Sequence, residues 1–176
     1  ANITAPNALQ RAAFGPIAAG GDVIVHAWTG SGKTLAFLLP LLELLDATSR
    51  EPQALILSPS RELAFQIGRV AQMVLEGTAL RSAVVAGGAN PNRQMDKIKK
   101  ERPQLIIGTP GRVSELVFER KKLKLQRVRH IALDEVDDAL TEYPGYAIVL
   151  DRRMTGLCAV WRIPKREMTQ LFGTSA

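Results

Sequence analysis

An α/β fold, with a mostly parallel central sheet and helices on both of its faces, is predicted by three features of this 176-residue sequence. Short apolar runs alternate with longer amphipathic stretches. A loop of small residues, Ala27-Trp28-Thr29-Gly30-Ser31-Gly32-Lys33-Thr34, joins one such run to the stretch after it. The ends of the runs collect Gly, Pro, Ser and charged residues. This alternation implies parallel strands joined by helical crossovers, and open sheets of that kind bind ligands outside the carboxyl ends of their strands.

Strands are expected over residues 22–27, 53–58, 81–86, 104–108, 130–134 and 169–173. Each is a short apolar run bounded by turn residues, as buried strands are. Helices are expected near residues 6–18, 32–47, 61–76, 91–102 and 111–118, with a weaker one after Val136. Residues 141–167, punctuated by Pro144, Gly145, Gly156 and Pro164, carry no period that assigns them. One domain over residues 1–176 accounts for the length, without repeats, linkers or low-complexity segments.

Apolar residues make up 46% and charged residues 23% of the chain, which argues against disorder. The apolar run of residues 35–45 contains Pro40 and Glu43 and is too short to span a bilayer, so no membrane is expected. A net charge of +6 and a pI near 9.8 favour a polyanionic partner. The single cysteine, Cys158, excludes an internal disulfide and fits a reducing, intracellular compartment.

The loop from Ala27 to Thr34 has the composition of a phosphate cradle. Its small residues let backbone N–H groups turn toward phosphates, the following helix offers its positive end, Lys33 supplies a mobile cation and Thr34 a hydroxyl for Mg²⁺. Ala27 stands where the strict pattern G-x-x-x-x-G-K-S/T has its first glycine. A flexible linker could share this composition, but not the flanking strand and helix patterns.

Ile131-Ala132-Leu133 runs into Asp134-Glu135, an apolar strand ending in two carboxylates. Beside a phosphate loop, Asp134 would hold Mg²⁺ and Glu135 would orient or deprotonate the attacking water, given a carboxylate from a neighbouring strand. By itself the cluster reads equally well as an acidic helix start continued by Asp137 and Asp138.

The set of strand ends resembles the first RecA-like domain of the DEAD-box ATP-dependent RNA helicases. AWTGSGKT is similar to motif I, PSRELA (residues 59–64) to motif Ia, Gly87-Gly88 to the GG element, TPGR (residues 109–112) to motif Ib, and DEVD (residues 134–137) to motif II. Upstream, residues 6–10 resemble the Q motif, and residues 170–176 resemble the strand entering the Ser-Ala-Thr motif III. The chain departs from the family at Val136, where Ala is usual, at Ser60, where Thr is usual, and at Trp28, which occupies a variable position.

The resemblance implies a RecA-like P-loop fold and an enzyme that couples ATP hydrolysis to local unwinding of RNA or remodelling of its complexes. ATP and Mg²⁺ are the implied cofactors. Gln10 would read adenine; Thr29, Gly30, Ser31, Gly32, Lys33 and Thr34 would hold the phosphates; and Thr34 and Asp134 would hold the metal. Lys33, Asp134 and Glu135 are the implied catalytic residues. Pro59, Ser60, Arg61, Gly88, Thr109, Pro110, Gly111 and Arg112 would face the RNA backbone without reading bases. Locally, Pro59 and Pro110 also fit helix starts, and Arg112 a helix cover.

Asp137 and Ser175 would couple the site to a second RecA-like domain, which the resemblance places outside this chain, leaving the fragment monomeric and with little activity alone. Two other readings stay open: a non-catalytic ATP-gated RNA clamp, and another superfamily 2 nucleic-acid motor. The basic runs of residues 97–102 and 120–129 read as mainly solvated helix faces and connections.

Overall fold

The computed structural model describes residues 5–135 and the strand Leu157–Arg162. Helix α1 (Ala8–Ala18) starts at Asn7, whose side chain accepts the Gln10 N–H while Gln10 accepts the Asn7 N–H, a reciprocal cap. Strand β1 (Val23–His26) leads through the small-residue loop into α2 (Lys33–Glu43). Then follow β2 (Ala54–Leu57), α3 (Arg61–Leu75), β3 (Ser82–Val85), α4 (Pro91–Glu101), β4 (Leu105–Gly108) and α5 (Pro110–Ser114), which continues as a π-helical turn, Glu115–Glu119. Strands β5 (His130–Asp134) and β6 (Leu157–Arg162) complete the described chain.

Helix α2 ends four residues earlier than the helix expected over residues 32–47. The Leu44 and Leu45 amides bond the carbonyls of Leu41 and Leu42, tightening the last turn. Asp46 then accepts from the Thr48 amide and hydroxyl at 2.9 and 2.7 Å, so a side chain captures the backbone that would have extended the helix.

The strands form one sheet in the order β1-β6-β5-β2-β4-β3. β2 lies parallel to both β4 and β5, and β3 is parallel to β4. β6 falls in the stretch that sequence left unassigned, and it is antiparallel to both β1 and β5. The sheet is therefore mostly parallel, with one reversed strand inside it. The weaker helix after Val136 and the strand expected over residues 169–173 lie outside the described residues.

All four residues of β2 are buried, as in a central strand covered on both faces. Ala54 and Ile56 join the core built with Ile17 of α1, Phe37, Leu38 and Leu41 of α2, and Ile67 of α3. Leu55 and Leu57 join the opposite core with Met95 and Ile98 of α4 and with Leu116 and Leu125. The period of two along the strand thus separates two apolar layers. Close approach is sequence-determined at Gly68: a Cβ there would lie 2.3 Å from Val84 Cγ2, so glycine lets α3 settle onto β3. No helix among the described residues is long and apolar enough to cross a membrane.

Candidate functional site

The parallel strands point their carboxyl ends to one edge, where the loops after β1, β2, β3, β4 and β5 gather. The loop after β1 is shaped by Gly30 and Gly32, with φ of 84° and 86°, a left-handed conformation that glycine alone adopts without steric cost. Gly32 is the N-cap of α2 and provides no side-chain cap. The first amides of the helix consequently have no intrahelical acceptor and lie at its positive end.

The Ser31 hydroxyl is buried and has no hydrogen-bond partner among the described residues. An unpartnered buried hydroxyl is costly unless something else satisfies it. Lys33 Nζ donates to the Ala27 carbonyl at 2.9 Å, folding the cation back over the loop. Thr34 is half-buried in the first turn of α2, while Thr29 and Gly30 are exposed. Left-handed glycines, the amino end of a helix, an orphaned hydroxyl and the ammonium of Lys33 together suit a chain of phosphates with its Mg²⁺.

Gln10 is buried and reaches this loop. Its Nε2 lies 3.4 Å from the Gly32 carbonyl, and its Oε1 accepts from Asn7 N–H at 2.9 Å. An amide offers two donor hydrogens and two lone pairs, so one of each remains for a purine edge. Asn7 also braces the loop, donating from Nδ2 to the Ser31 carbonyl at 2.9 Å. A Cβ on Gly32 would sit 2.8 Å from Gln10 Nε2 and 3.1 Å from Asn7 Nδ2, so α1 closes directly onto the cradle. The spacing Asn7-x-x-Gln10 is a capping-box pattern legible in sequence; its contact with the loop is not.

Asp134 is buried at the end of β5, and its Oδ1 accepts from the Glu135 amide at 3.2 Å. Glu135 has φ of 49°, so the chain turns sharply where the two carboxylates leave the strand. The sequence suggested that the strand carrying them neighbours β1; instead β6 lies between the two. Asp134 pairs with Cys158, and Cys158 with Val25, which puts the carboxylate level with the end of β1. Two strand spacings separate them, about 10 Å between chain axes.

The three remaining loops follow the adjacent strands β2, β4 and β3. Ser60 caps α3 by accepting the Leu63 amide at 3.2 Å, and Pro110 opens α5. Pro59, Ser60 and Thr109 are half-buried, and Arg61, Gly88 and Gly111 are exposed. Arg61 extends across the turn after β3: a Cβ built on Gly88, whose φ is 87°, would fall 2.9 Å from Arg61 Nη1.

Arg112 is more enclosed than a free phosphate ligand. Its side chain is 13% exposed and pairs through Nε with Glu115 at 3.0 Å. Nη1 donates to the Ala89 carbonyl at 3.0 Å and to Gln94 Oε1 at 3.1 Å, while Gln94 Nε2 donates to the Ala86 carbonyl at 2.8 Å. Arg112 therefore clamps the glycine turn and keeps only its Nη2 hydrogens for a further acceptor. Glu115 could have been suspected from its position three residues after Arg112 on a helix; Gln94 carried no sequence signal. Asp137 and Ser175 lie outside the described residues.

The family profile described as DEAD/DEAH box helicase matches residues 7–176. The chain belongs to this family. Among the relatives of this DEAD box chain, the Bacillus subtilis protein named "Probable ATP-dependent RNA helicase YfmL" is 49% identical over 132 residues, covering 75% of this chain and 35% of the relative. The DEAD-box ATP-dependent RNA helicase CshA of Bacillus cereus is 40% identical over 172 residues, covering 98% of this chain and 29% of the relative. This DEAD box chain thus spans about a third of the length of those curated relatives. The crystal structure of a DEAD box protein from the hyperthermophile Methanococcus jannaschii is similar with a TM-score of 0.70 and 31% identity, over 78% of this chain and 37% of that one. The RecA-like α/β fold of the DEAD box domain is thereby established.

Proposed function

We propose that this chain is the N-terminal, ATP- and RNA-binding domain of an ATP-dependent RNA helicase that separates short RNA duplexes or remodels RNA–protein complexes together with a second RecA-like domain. The observation carrying this reading is one sheet edge that combines a glycine cradle, with its orphaned Ser31 hydroxyl, and the buried Asp134. The loops bearing Arg61, Gly88 and Thr109 line the same edge.

In this reading the amides at the start of α2 and the Ser31 hydroxyl hold the phosphates, with Thr29 and Gly30 to Gly32 shaping the cradle. Lys33 exchanges its bond to the Ala27 carbonyl for the terminal phosphate, a gain because a charged acceptor replaces a neutral one. Gln10 offers its remaining amide hydrogen and lone pair to the adenine edge. Thr34 and Asp134 would hold Mg²⁺, whose charge offsets that of the phosphates. Glu135 orients the attacking water and receives its proton. Pro59, Ser60, Arg61, Gly88, Thr109, Pro110 and Gly111 pack against the RNA backbone, with Arg112 holding their turn and offering its Nη2 hydrogens. Asp137 and Ser175 relay closure to the second domain.

Phosphate release by the complete protein with and without single-stranded RNA tests this. RNA stimulation is expected for the wild type, with Glu135→Gln reducing turnover by a factor of about 100 or more, as for loss of a general base. Turnover that ignores RNA, or that survives Glu135→Gln, would contradict the reading.

A further inference from the structure

The amino ends of β2, β3 and β4 form the edge opposite the candidate ATP site, and that edge is strongly basic. A cleft of about 480 Å³ opens there between the segments preceding the three strands, and its lining includes Arg50, Arg81, Lys100 and Arg102. All four side chains are exposed, and none has an ion-pair partner among the described residues. The one acid in the lining among the described residues, Glu101, lies 3.9 Å from Lys97. Beyond Arg50 and Arg102 the surface continues over Lys99, Lys122 and Lys124, where Glu51 is already paired with Arg127 at 3.0 Å.

The cleft is a built feature of the fold. Gln104 is buried beneath it, accepting the Arg81 amide at 2.9 Å through Oε1 and donating to the Ser49 carbonyl through Nε2. One amide therefore ties together the three segments that carry the arginines. Arg102 is held in the left-handed region at φ 49°, its amide bonded to the Ile98 carbonyl at 2.8 Å, which fixes where its side chain leaves the backbone.

Helix ends attract cations, and Lys99 and Lys100 in the last turn of α4 serve that purpose. The helix end does not account for Arg50 and Arg81, which come from other segments and converge on the same opening. Three guanidinium forks in one cleft match phosphate geometry. Among the described residues no aromatic lines it, and the only apolar ones are Ala47 and Ala79, so it offers neither a base-stacking platform nor the apolar anchor that a peptide partner needs. A phosphate backbone fits best.

We propose that this amino-edge cleft is a second RNA-backbone site, which holds strand flanking the segment bound at the carboxyl edge. The inference rests on the reading of this chain as an RNA-binding helicase domain. Strands of four or five residues separate the two edges by about 15 Å, a gap that a few nucleotides of flanking RNA can bridge. Such a site contacts phosphates only and adds affinity for long RNA without sequence preference.

The test uses the complete protein and two single-stranded RNAs: one just long enough to cover the carboxyl edge, and one several times longer. The variant R50E/R81E/K100E/R102E is expected to bind the short RNA and respond to it in phosphate release as the wild type does. It should bind the long RNA at least about tenfold more weakly, with the log–log salt dependence shallower by about 0.7 for every phosphate that the cleft no longer neutralises. Arg50→Gln with Arg102→Asn removes two charges while keeping a residue that tolerates the left-handed backbone, and should change the slope by about half as much.

Unchanged long-RNA affinity and slope in both variants, with circular dichroism like the wild type, would overturn the proposal. So would an equal loss on both RNAs, or loss of binding to phosphatidylserine vesicles with RNA binding intact, which would assign the surface to a membrane. Failure of the wild type to bind either RNA would instead overturn the underlying helicase reading, and the cleft proposal with it.

Discussion

Replacing Gly32 with Ala separates two physical effects that meet at one residue of the phosphate cradle. The backbone there has φ of 86°, and holding a Cβ in that conformation costs about 1 kcal/mol. The added carbon would also lie 2.8 Å from Gln10 Nε2, closer than such atoms approach, and 3.1 Å from Asn7 Nδ2, a tight contact. Gln10 is buried, and to move away it must give up Oε1 as acceptor for the Asn7 amide and loosen the cap of α1. Loss of that bond and part of the cap adds about 1 to 2 kcal/mol.

Gly30 provides the control. Its φ is 84°, yet nothing lies within 4 Å of a Cβ built on it. Gly30→Ala should therefore cost the conformational term of about 1 kcal/mol, and Gly32→Ala about 2 to 3 kcal/mol, in urea unfolding followed by circular dichroism. Truncating Gln10 to Ala should destabilise the Gly32→Ala variant much less than it destabilises the wild type, because the contacts it removes are already lost there, a coupling that a double-mutant cycle reads directly. Equal destabilisation by the two alanines, or additivity with Gln10→Ala, would refute the claim that α1 closes onto the loop.

Other outcomes follow from particular contacts. Phe37 of α2 is fully buried in the core shared with α1, α3 and the sheet, so Phe37→Ala should destabilise by about 3 to 5 kcal/mol in the same assay. Arg112→Gln breaks the ion pair with Glu115 and loosens the turn after β3. It should cost about 1 to 2 kcal/mol in stability while weakening RNA binding, and Arg112→Lys should not restore the turn, because one ammonium cannot serve Glu115, Gln94 and the Ala89 carbonyl in the same planar arrangement. Asp46 is held below the usual carboxylate range by the Thr48 hydroxyl first and the Thr48 amide second. A carboxylate whose native pKa is lowered stabilises the fold above its unfolded value, and this is lost as pH falls through the native one. Asp46→Ala should thus lower the unfolding midpoint at neutral pH, with the difference vanishing below the usual Asp range.

The elements legible in the sequence were those whose side chains repeat. Ala54 to Leu57 and Leu105 to Gly108 announce buried strands by composition, and α3 by its apolar stripe, because burial on a regular backbone imposes a period. β6 was missed because Cys158 to Trp161 is a short run beside Gly156 and Pro164, and because its place depends on β1 and β5, more than twenty residues away in sequence. The site's residues could be named from motif spacing. Their restraints could not: Asn7 on Ser31, Gln104 on Ser49 and Arg112 on Gln94 join segments far apart in the chain through single polar contacts, which leave no periodic trace. The enclosure of Arg112 is the clearest example, since a helix-start arginine looks the same in sequence whether it faces solvent or clamps a turn.

Calorimetric titration of Mg²⁺·ATP into the complete protein, wild type against Lys33→Ala and Asp134→Asn, tests the central claim most directly. Binding by the wild type and its loss by at least about tenfold in each variant, as expected when a charged partner is removed, would bear out the carboxyl edge as the nucleotide site. Wild-type affinity retained by both variants would contradict it.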